Sequence, residues 1–222
     1  MSSFHDPAAA ARYADGPRRL VPAFADLQRM TTLLLAEKVP DTGSVLVLGA
    51  GGGLELKVFA EAHVGWTFLG VDPAAAMLDL ARQTVGEHMD RVTLHEGYIH
   101  TAPSGPFDGA TCLLTLHFLP RDERVATLKA LRARLKPGAP LVVAHHAVPK
   151  GEETRWFSRF AAYAISNGVE PATAQQAAKA LPDALPFLAP ADDEAVLLEA
   201  GFTDIELFYA AFTFRGWVCT AR

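Results

Sequence analysis

Short apolar runs alternate along the chain with stretches of helical periodicity. Five runs bounded by turn residues predict buried strands, at 44–48, 66–71, 91–95, 107–116 and 141–145. Between them, 54–63, 74–85 and 122–135 repeat their apolar residues every three to four positions, which predicts helices. Strands and helices that alternate at this spacing form a mostly parallel sheet with helices on both faces. The sequence therefore predicts an α/β fold.

The two ends of the chain depart from this alternation. Residues 4–38 predict helices broken near Gly16 and Pro22, the last one amphipathic. After residue 149, a predicted helix over 151–181 carries four clustered aromatic residues, Trp156, Phe157, Phe160 and Tyr163. A helix over 192–200 follows, and then strands at 204–209 and 213–220, whose short connection predicts an antiparallel hairpin at the sheet edge.

These patterns favour one domain over 1–222. We divide it into N-terminal helices over 1–40, an α/β core over 44–146, a helical insertion over 151–190 that caps the core, and a final strand pair over 203–220. No serine- or glycine-rich linker separates these parts.

Composition narrows the class of protein. Half of the residues are hydrophobic, a fifth are charged, and the net charge is −5 without a basic tract, so a nucleic-acid partner is not expected. No apolar stretch reaches the roughly 20 residues that a membrane helix needs, and the N-terminus lacks the order of a signal peptide. We expect a cytoplasmic enzyme without membrane association. Cys112 and Cys219 lie in apolar runs and favour two buried thiols over a disulfide.

A glycine-rich turn, Gly49-Ala50-Gly51-Gly52-Gly53, follows the first predicted strand. Such a turn lets backbone approach a ligand closely and points the next helix's amide groups at it. Asp72 ends the next strand, 21 residues after Gly51, where a carboxylate can accept both hydroxyls of a ribose. Alone, the glycine turn could be a plain tight turn and Asp72 a helix cap. Together, the two features favour a nucleotide cofactor, and a nicotinamide or flavin cofactor would suit the same geometry.

The order of further motifs resembles class I S-adenosylmethionine-dependent methyltransferases. The glycine turn is followed by Gly70-Val71-Asp72-Pro73 with Met77, then Glu96-Gly97-Tyr98-Ile99, Phe107-Asp108 and Leu135-Lys136-Pro137-Gly138. The resemblance implies a Rossmann-like fold with a mostly parallel seven-stranded sheet, an antiparallel edge hairpin and S-adenosylmethionine as cofactor. A nicotinamide oxidoreductase is a weaker alternative, because no tyrosine-lysine pair with recognisable spacing is present.

Within that group, residues 21–24 and 114–119 resemble the carboxy-S-adenosylmethionine synthases and their methyltransferase relatives. This resemblance implies that Gly49, Ala50 and Gly51 contact the methionine part of the cofactor and that Asp72 and Pro73 contact its ribose. It also implies that Met77, Tyr98 and Ile99 lie around the adenine, Leu113 beside the sulfonium, and Phe24 over the outer side of the cofactor.

Four positions differ from the family pattern. The family commonly has an acid at Val47 that orders water near the methionine amine, an acid at Tyr98 and a polar residue at Leu113. Its carboxy-cofactor synthases have an arginine where this chain has Val196. We therefore expect plain methyl transfer, with carboxy-cofactor synthesis or non-catalytic cofactor binding as alternatives.

Three histidines are candidates for a general base, because they lie at or near the carboxyl ends of the fourth and fifth strands. They are His117, His145 and His146, of which we take His117 and His145 as the catalytic candidates. Neighbouring strand residues point to opposite faces, so His145 and His146 do not suit one metal ion, and no metal is expected. The aromatic insertion suggests a small, partly apolar substrate, and a homodimer is left open.

Overall fold

A single mixed sheet organises the part of the chain that the computed structural model describes, residues 15–222 with side chains from Gly16 onward. Its strand order is β3-β2-β1-β4-β5-β7-β6. The strands are β1 (Ser44–Leu48), β2 (Thr67–Asp72), β3 (Val92–Glu96), β4 (Gly109–Leu113), β5 (Pro140–His146), β6 (Phe202–Ala211) and β7 (Phe214–Ala221). The predicted seven-stranded, mostly parallel sheet is confirmed, and the predicted helix over 4–14 lies outside the described residues.

Helices connect the strands and cover both faces of the sheet. They are α1 (Asp15–Leu20), α2 (Phe24–Ala36), α3 (Leu54–Ala62), α4 (Ala75–Val85), α5 (Arg121–Arg132), α6 (Glu153–Ser166), α7 (Pro171–Ala184) and α8 (Pro190–Glu199). Short 3₁₀ turns occupy Ile99–Thr101 and Leu116–Phe118. In the described part of the chain no helix is long and apolar enough to cross a membrane.

The chain reverses its direction of travel across the sheet at β1. From β1 it moves outward to β2 and β3, and it then returns to place β4 on the other side of β1. Strands β1 to β5 are parallel, whereas β7 is antiparallel to both β5 and β6. In open α/β sheets, ligands bind in the crevice beyond the carboxyl ends of the strands where the order reverses. That crevice lies beyond β1 and β4 in this protein.

Two apolar cores lie on opposite faces of the sheet. The first packs α2, α3 and the α6–α7 insertion on the sheet and includes Leu27, Leu56 and Phe157. The second packs α5 and α8 on the other face and includes Leu128 and Val196. Because side chains alternate along a strand, successive residues of β5 belong to different cores. This alternation decides which histidines can meet.

The insertion differs from the predicted continuous helix over 151–181. The helix α6 ends before Asn167 and Gly168, and α7 starts at Pro171. Gly168 has a φ of 83°, a left-handed conformation that ends helices, and proline suits the first turn of the next one. The two helices contact each other as a hairpin. The predicted antiparallel strand pair is confirmed, Cys112 and Cys219 are buried free thiols, and the division into parts stays a prediction.

Candidate active site

The glycine turn is hydrogen-bonded to the end of β2 and packs against the segment after β4. The N–H groups of Gly49 and Ala50 both donate to the carbonyl of Val71, at 2.8 and 3.1 Å. Gly49 has a φ of 76°, and a Cβ there would lie 2.0 Å from Oγ1 of Thr115. A side chain at this position would therefore meet the segment after β4. Glycine is required because two chain segments meet here.

Asp72 holds the glycine turn and the start of α4 together. Its Oδ2 accepts a hydrogen bond from the N–H of Gly51, and its Oδ1 accepts one from the N–H of Ala74, both at 2.9 Å. The carboxylate thus has a structural role, which is similar to the helix cap that the sequence allowed as an alternative. The ribose contact that the family resemblance implies remains a prediction, and the carboxylate lies at the turn where that contact is expected.

A small cleft opens between the glycine turn, α2 and the end of β4. It is lined by Phe24, Gln28, Gly49, Ala50, Gly52, Leu54, Glu55, Leu113 and Leu114. The structure therefore brings together four residues that the sequence assigned to the cofactor, namely Phe24, Gly49, Ala50 and Leu113. It also places the cleft at the strand reversal, where the fold predicts a ligand.

Glu55 contributes a buried carboxyl group to this cleft. It lies in the first turn of α3 and is only 7% exposed. Its Oε1 accepts a long hydrogen bond, 3.5 Å, from Oγ1 of Thr111 on β4. Burial raises the pKa of Glu55 to about 8, and the bond from Thr111 opposes this shift only in part. Sequence reasoning missed Glu55, because an acid in the first turn of a helix is an ordinary feature.

The residues expected around adenine are spread over the neighbouring surface. Pro73 follows Asp72 directly, and Met77 is buried on α4 with Ala74. Tyr98 is 60% exposed and stacks on His100 with ring centroids 5.8 Å apart. Ile99, in contrast, is buried in the second core. Tyr98 thus presents an aromatic face toward solvent, while Ile99 supports its turn from below.

Two of the candidate histidines meet on the face that α6 covers. The rings of His117 and His146 are 5.0 Å apart, and both side chains are buried. The Nδ1 atom of His146 lies 2.8 Å from the hydroxyl of Thr213. Burial, with a contribution from the neighbouring His145, lowers the pKa of His146 to about 3, and burial likewise holds the pKa of His117 well below 6.5. Both imidazoles are neutral at physiological pH.

One nitrogen of His117 is left without a partner. Its Nδ1 is buried and forms no hydrogen bond with any residue in the described range. His117 lies in the 3₁₀ turn Leu116–Phe118, which begins two residues after Leu114 in the wall of the cleft. Buried polar atoms are normally hydrogen-bonded, so an orphan acceptor or donor needs a reason.

The aromatic cluster of the insertion divides between two sides of α6. Phe157 and Phe160 are buried against His146, at 6.0 and 5.5 Å between ring centroids. Trp156 lies instead on the outer side, where Arg159 stacks over its ring at 4.6 Å, and Tyr163 contacts Phe212. The inner pair therefore packs directly on His146, and the role of the insertion as a cap stays a prediction.

His145 points to the opposite face of the sheet. Its Nε2 is 3.2 Å from Oδ1 of Asp193, without hydrogen-bond geometry, and its ring lies beside Trp217 in the second core. The structure thus separates His145 from His117 and places it on the far face of the sheet from the glycine-turn cleft. His146, which sequence reasoning ranked behind it, takes the inner position because of the strict alternation along β5.

Arg124 supports the site from the second core. It is fully buried and donates to the carbonyl of Leu119, to Asp193 at 2.6 Å and to the carbonyl of Pro186. Leu119 follows the turn that carries His117, and Pro186 precedes Phe187, whose ring is 5.5 Å from that of His146. One guanidinium therefore joins two segments that frame the histidine pair. Among the described residues, no group of three acidic, histidine or cysteine side chains is arranged to hold a metal.

Comparisons with known proteins agree with this geometry. A family model described as a methyltransferase domain matches residues 45–138. A carboxy-S-adenosyl-L-methionine synthase from Chromohalobacter salexigens is 30% identical over 96% of this chain and 81% of its own length. One from Wolinella succinogenes is 26% identical over 96% of this chain and 91% of its own length.

Solved structures show the same fold. An O-methyltransferase family protein from Burkholderia thailandensis superposes with a TM-score of 0.70 at 17% identity, covering 98% of this chain and 61% of its own. The fold of the sheet and its helices thus belongs to a known architecture. This protein is a member of the class I S-adenosylmethionine-dependent methyltransferases, on the branch that includes the carboxy-S-adenosyl-L-methionine synthases.

Proposed function

We propose that this protein transfers a methyl group from S-adenosylmethionine to a small, partly apolar acceptor, and that His117 accepts the proton that the acceptor loses. The observation that carries this proposal is the Nδ1 of His117, which is buried and has no partner among the described residues, in the turn that follows Leu113 and Leu114 of the cleft wall. His146 lies beside it and shapes the same region. His145 has no part in the proposed chemistry, because it faces the other core.

The residues of the cleft fit the cofactor. Its apolar walls, Phe24 and Leu113, suit the carbons next to the cofactor's sulfur, and the glycine turn offers a surface without side chains for close contact. Glu55 supplies the negative charge that a cationic ligand needs in a buried place. The ribose would lie at Asp72, and the adenine between Met77 and Tyr98. When bound, the cofactor supplies an electrophilic methyl group on a sulfonium centre.

His117 suits a modest role in proton transfer. Its low pKa keeps the ring neutral, so that Nδ1 can accept a hydrogen bond from an acceptor hydroxyl and orient it. An oxygen that gains a methyl group becomes strongly acidic, so a weak base is sufficient to take its proton. Positioning then contributes more to the rate than basicity does.

The surroundings of the histidines favour an acceptor with an apolar body. Phe157, Phe160 and Phe214 all lie within about 6 Å of His146, measured between ring centroids. Aromatic walls with a few polar groups are typical of small-molecule sites. The acidic net charge does not favour a nucleic-acid acceptor. A cytoplasmic location and a homodimer remain predictions.

The test is a turnover assay on a panel of substituted phenols, with formation of S-adenosylhomocysteine as the readout. His117→Asn should lower kcat by about 10²–10⁴-fold while S-adenosylhomocysteine binding stays within about twofold. His88→Gln, a change at a histidine distant in the sequence, is the matched control. Equal kcat for His117→Asn and wild type would refute the role of His117, and no turnover of any panel member would refute the acceptor class.

Carboxy-cofactor synthesis is the second candidate, because the relative that is 30% identical carries that name. Against it, the family resemblance places the apolar Val196 where the synthases have an arginine, so the charge that would bind the extra carboxylate is absent from that position. We expect no carboxylated cofactor when the protein is incubated with S-adenosylmethionine and prephenate. A carboxylated product detected by mass spectrometry would favour the synthase over the methyltransferase.

A further inference from the structure

Glu55 is a buried acid whose position the fold alone does not explain. It is 7% exposed, and no arginine, lysine or histidine of the described residues lies within ion-pair distance of it. Among the described residues, its side chain accepts a single hydrogen bond, the long one from the hydroxyl of Thr111. A carboxyl group held this way destabilises the fold, since buried charge is costly unless it is paired. An unpaired, buried acid in the cleft wall points to a ligand.

The charge that would pair with Glu55 must come from the cleft. The other side chains that line it are apolar or neutral, such as Phe24, Gln28 and Leu54. Among the described residues that line the cleft, Glu55 is therefore the sole ionisable one, and it selects a cation. The methionine part of S-adenosylmethionine carries an α-ammonium group, which can donate three hydrogen bonds.

The sheet places Glu55 beside the position where the family commonly has its own acid. Val47 on β1 is paired in register with Thr111 on β4, so their side chains lie next to each other on one face. Thr111 is the residue whose hydroxyl reaches Glu55. A carboxylate from the start of α3 thus occupies the space beside Val47. The acid that is absent from the strand is supplied by the helix.

We propose that Glu55 binds the α-ammonium group of the cofactor and takes over the role of the missing acid at position 47. This inference rests on the assignment of S-adenosylmethionine to the cleft. Because burial raises the pKa of Glu55 to about 8, the ligand-free group is protonated at pH 7 and must lose its proton when the ammonium binds. The thiol of Cys112 on β4, which interacts electrostatically with Glu55, stays neutral because burial raises its pKa far above 7.

Calorimetry with two ligands tests the proposal. S-adenosylhomocysteine has the α-ammonium group, whereas 5′-methylthioadenosine has the same nucleoside and sulfur without it. Glu55→Gln should weaken binding of S-adenosylhomocysteine by about 10–100-fold, the loss of a charge-assisted contact, and binding of 5′-methylthioadenosine by less than about twofold. Wild-type protein at pH 7 should release close to one proton with S-adenosylhomocysteine, measured in buffers of different ionisation enthalpy, and Glu55→Gln should release none.

The control is Glu61→Gln, which removes an exposed acid from the same helix. It should leave both affinities and the released proton unchanged. Equal losses for the two ligands in Glu55→Gln, or no loss for S-adenosylhomocysteine, would overturn the role of Glu55. Wild-type protein that binds neither ligand would refute the cofactor assignment itself, and the inference with it.

Discussion

Replacing Glu55 by glutamine should stabilise the ligand-free protein at alkaline pH. Glutamine has nearly the same shape and can still accept the hydrogen bond from Thr111, but it never ionises. In wild type, the pKa of Glu55 is 4.5 in an unfolded chain and about 8 in the fold. Between these two values the unfolded state has lost its proton while the folded state retains it. The free energy of unfolding of wild type therefore falls as pH rises through this window.

The size of the effect follows from the width of the window. Each pH unit within it lowers the stability of wild type by about 1.4 kcal/mol relative to Glu55→Gln. From pH 4.5 to 8 this amounts to roughly 3–5 kcal/mol when relaxation of the site is allowed for. Below pH 4.5 the carboxyl group is protonated in both states, and the two proteins should be close to equal in stability. Above pH 8 the difference should reach a plateau.

Urea denaturation at intervals from pH 4 to 9, followed by circular dichroism, measures this difference directly. Comparing the two proteins at each pH cancels the titration of all other groups, the buried histidines included. Glu61→Gln, whose side chain is half exposed in a surface ion pair with Lys57, should differ from wild type by less than about 1 kcal/mol at every pH. A stability difference that does not change with pH would refute the buried, neutral state of Glu55.

Three further substitutions test the support of the site. Gly49→Ala should lower the free energy of unfolding by about 2–4 kcal/mol and abolish cofactor binding, because a Cβ at this position would lie 2.0 Å from Thr115. The control Gly16→Ala, with open space around the added Cβ, should leave the melting temperature unchanged. Asp72→Ala removes the acceptor of two backbone hydrogen bonds, so the free energy of unfolding should fall by roughly 2–4 kcal/mol and the affinity for S-adenosylhomocysteine by at least tenfold. An unchanged dissociation constant would mean that Asp72 has a structural role only. Arg124→Met leaves Asp193 buried without its partner and should cost about 3–5 kcal/mol in urea denaturation, and a loss under 1 kcal/mol would contradict the buried ion pair.

The sheet and its ligand-binding edge could be predicted from the sequence because each strand has its own local signal. In the run Ser44–Leu48 the four residues after Ser44 are apolar and glycines follow, and the structure has the strand at those residues. The glycine turn and Asp72 came from the same local reasoning, at the spacing that two successive parallel strands impose. The hairpin of α6 and α7 was not predicted, because alanine-rich stretches fit one long helix as well as two.

The chemistry of the site depends on contacts that no local pattern reveals. Which of His145 and His146 faces the site depends on the phase of β5, and a shift of one residue exchanges them. Arg124 has the sequence context of a surface residue on an amphipathic helix, and its burial follows from Asp193 on a distant helix. Glu55 gains its meaning from Thr111, which lies beside it only after β4 has joined β1. The roles of these residues therefore follow from the tertiary structure.

The strand order also has a consequence for how the chain is made. During synthesis β1 to β5 emerge in turn, and each can join a neighbour soon after it appears, but β7 must enter between β5 and β6. Until Phe214–Ala221 has been made, the outer edge of β5 has no strand to cover it, and that edge is apolar along most of its length. Open apolar edges are where chains associate wrongly. While α6, α7 and α8 are being translated, the edge of β5 therefore lacks the strand that later covers it, and Phe214–Ala221 closes that edge.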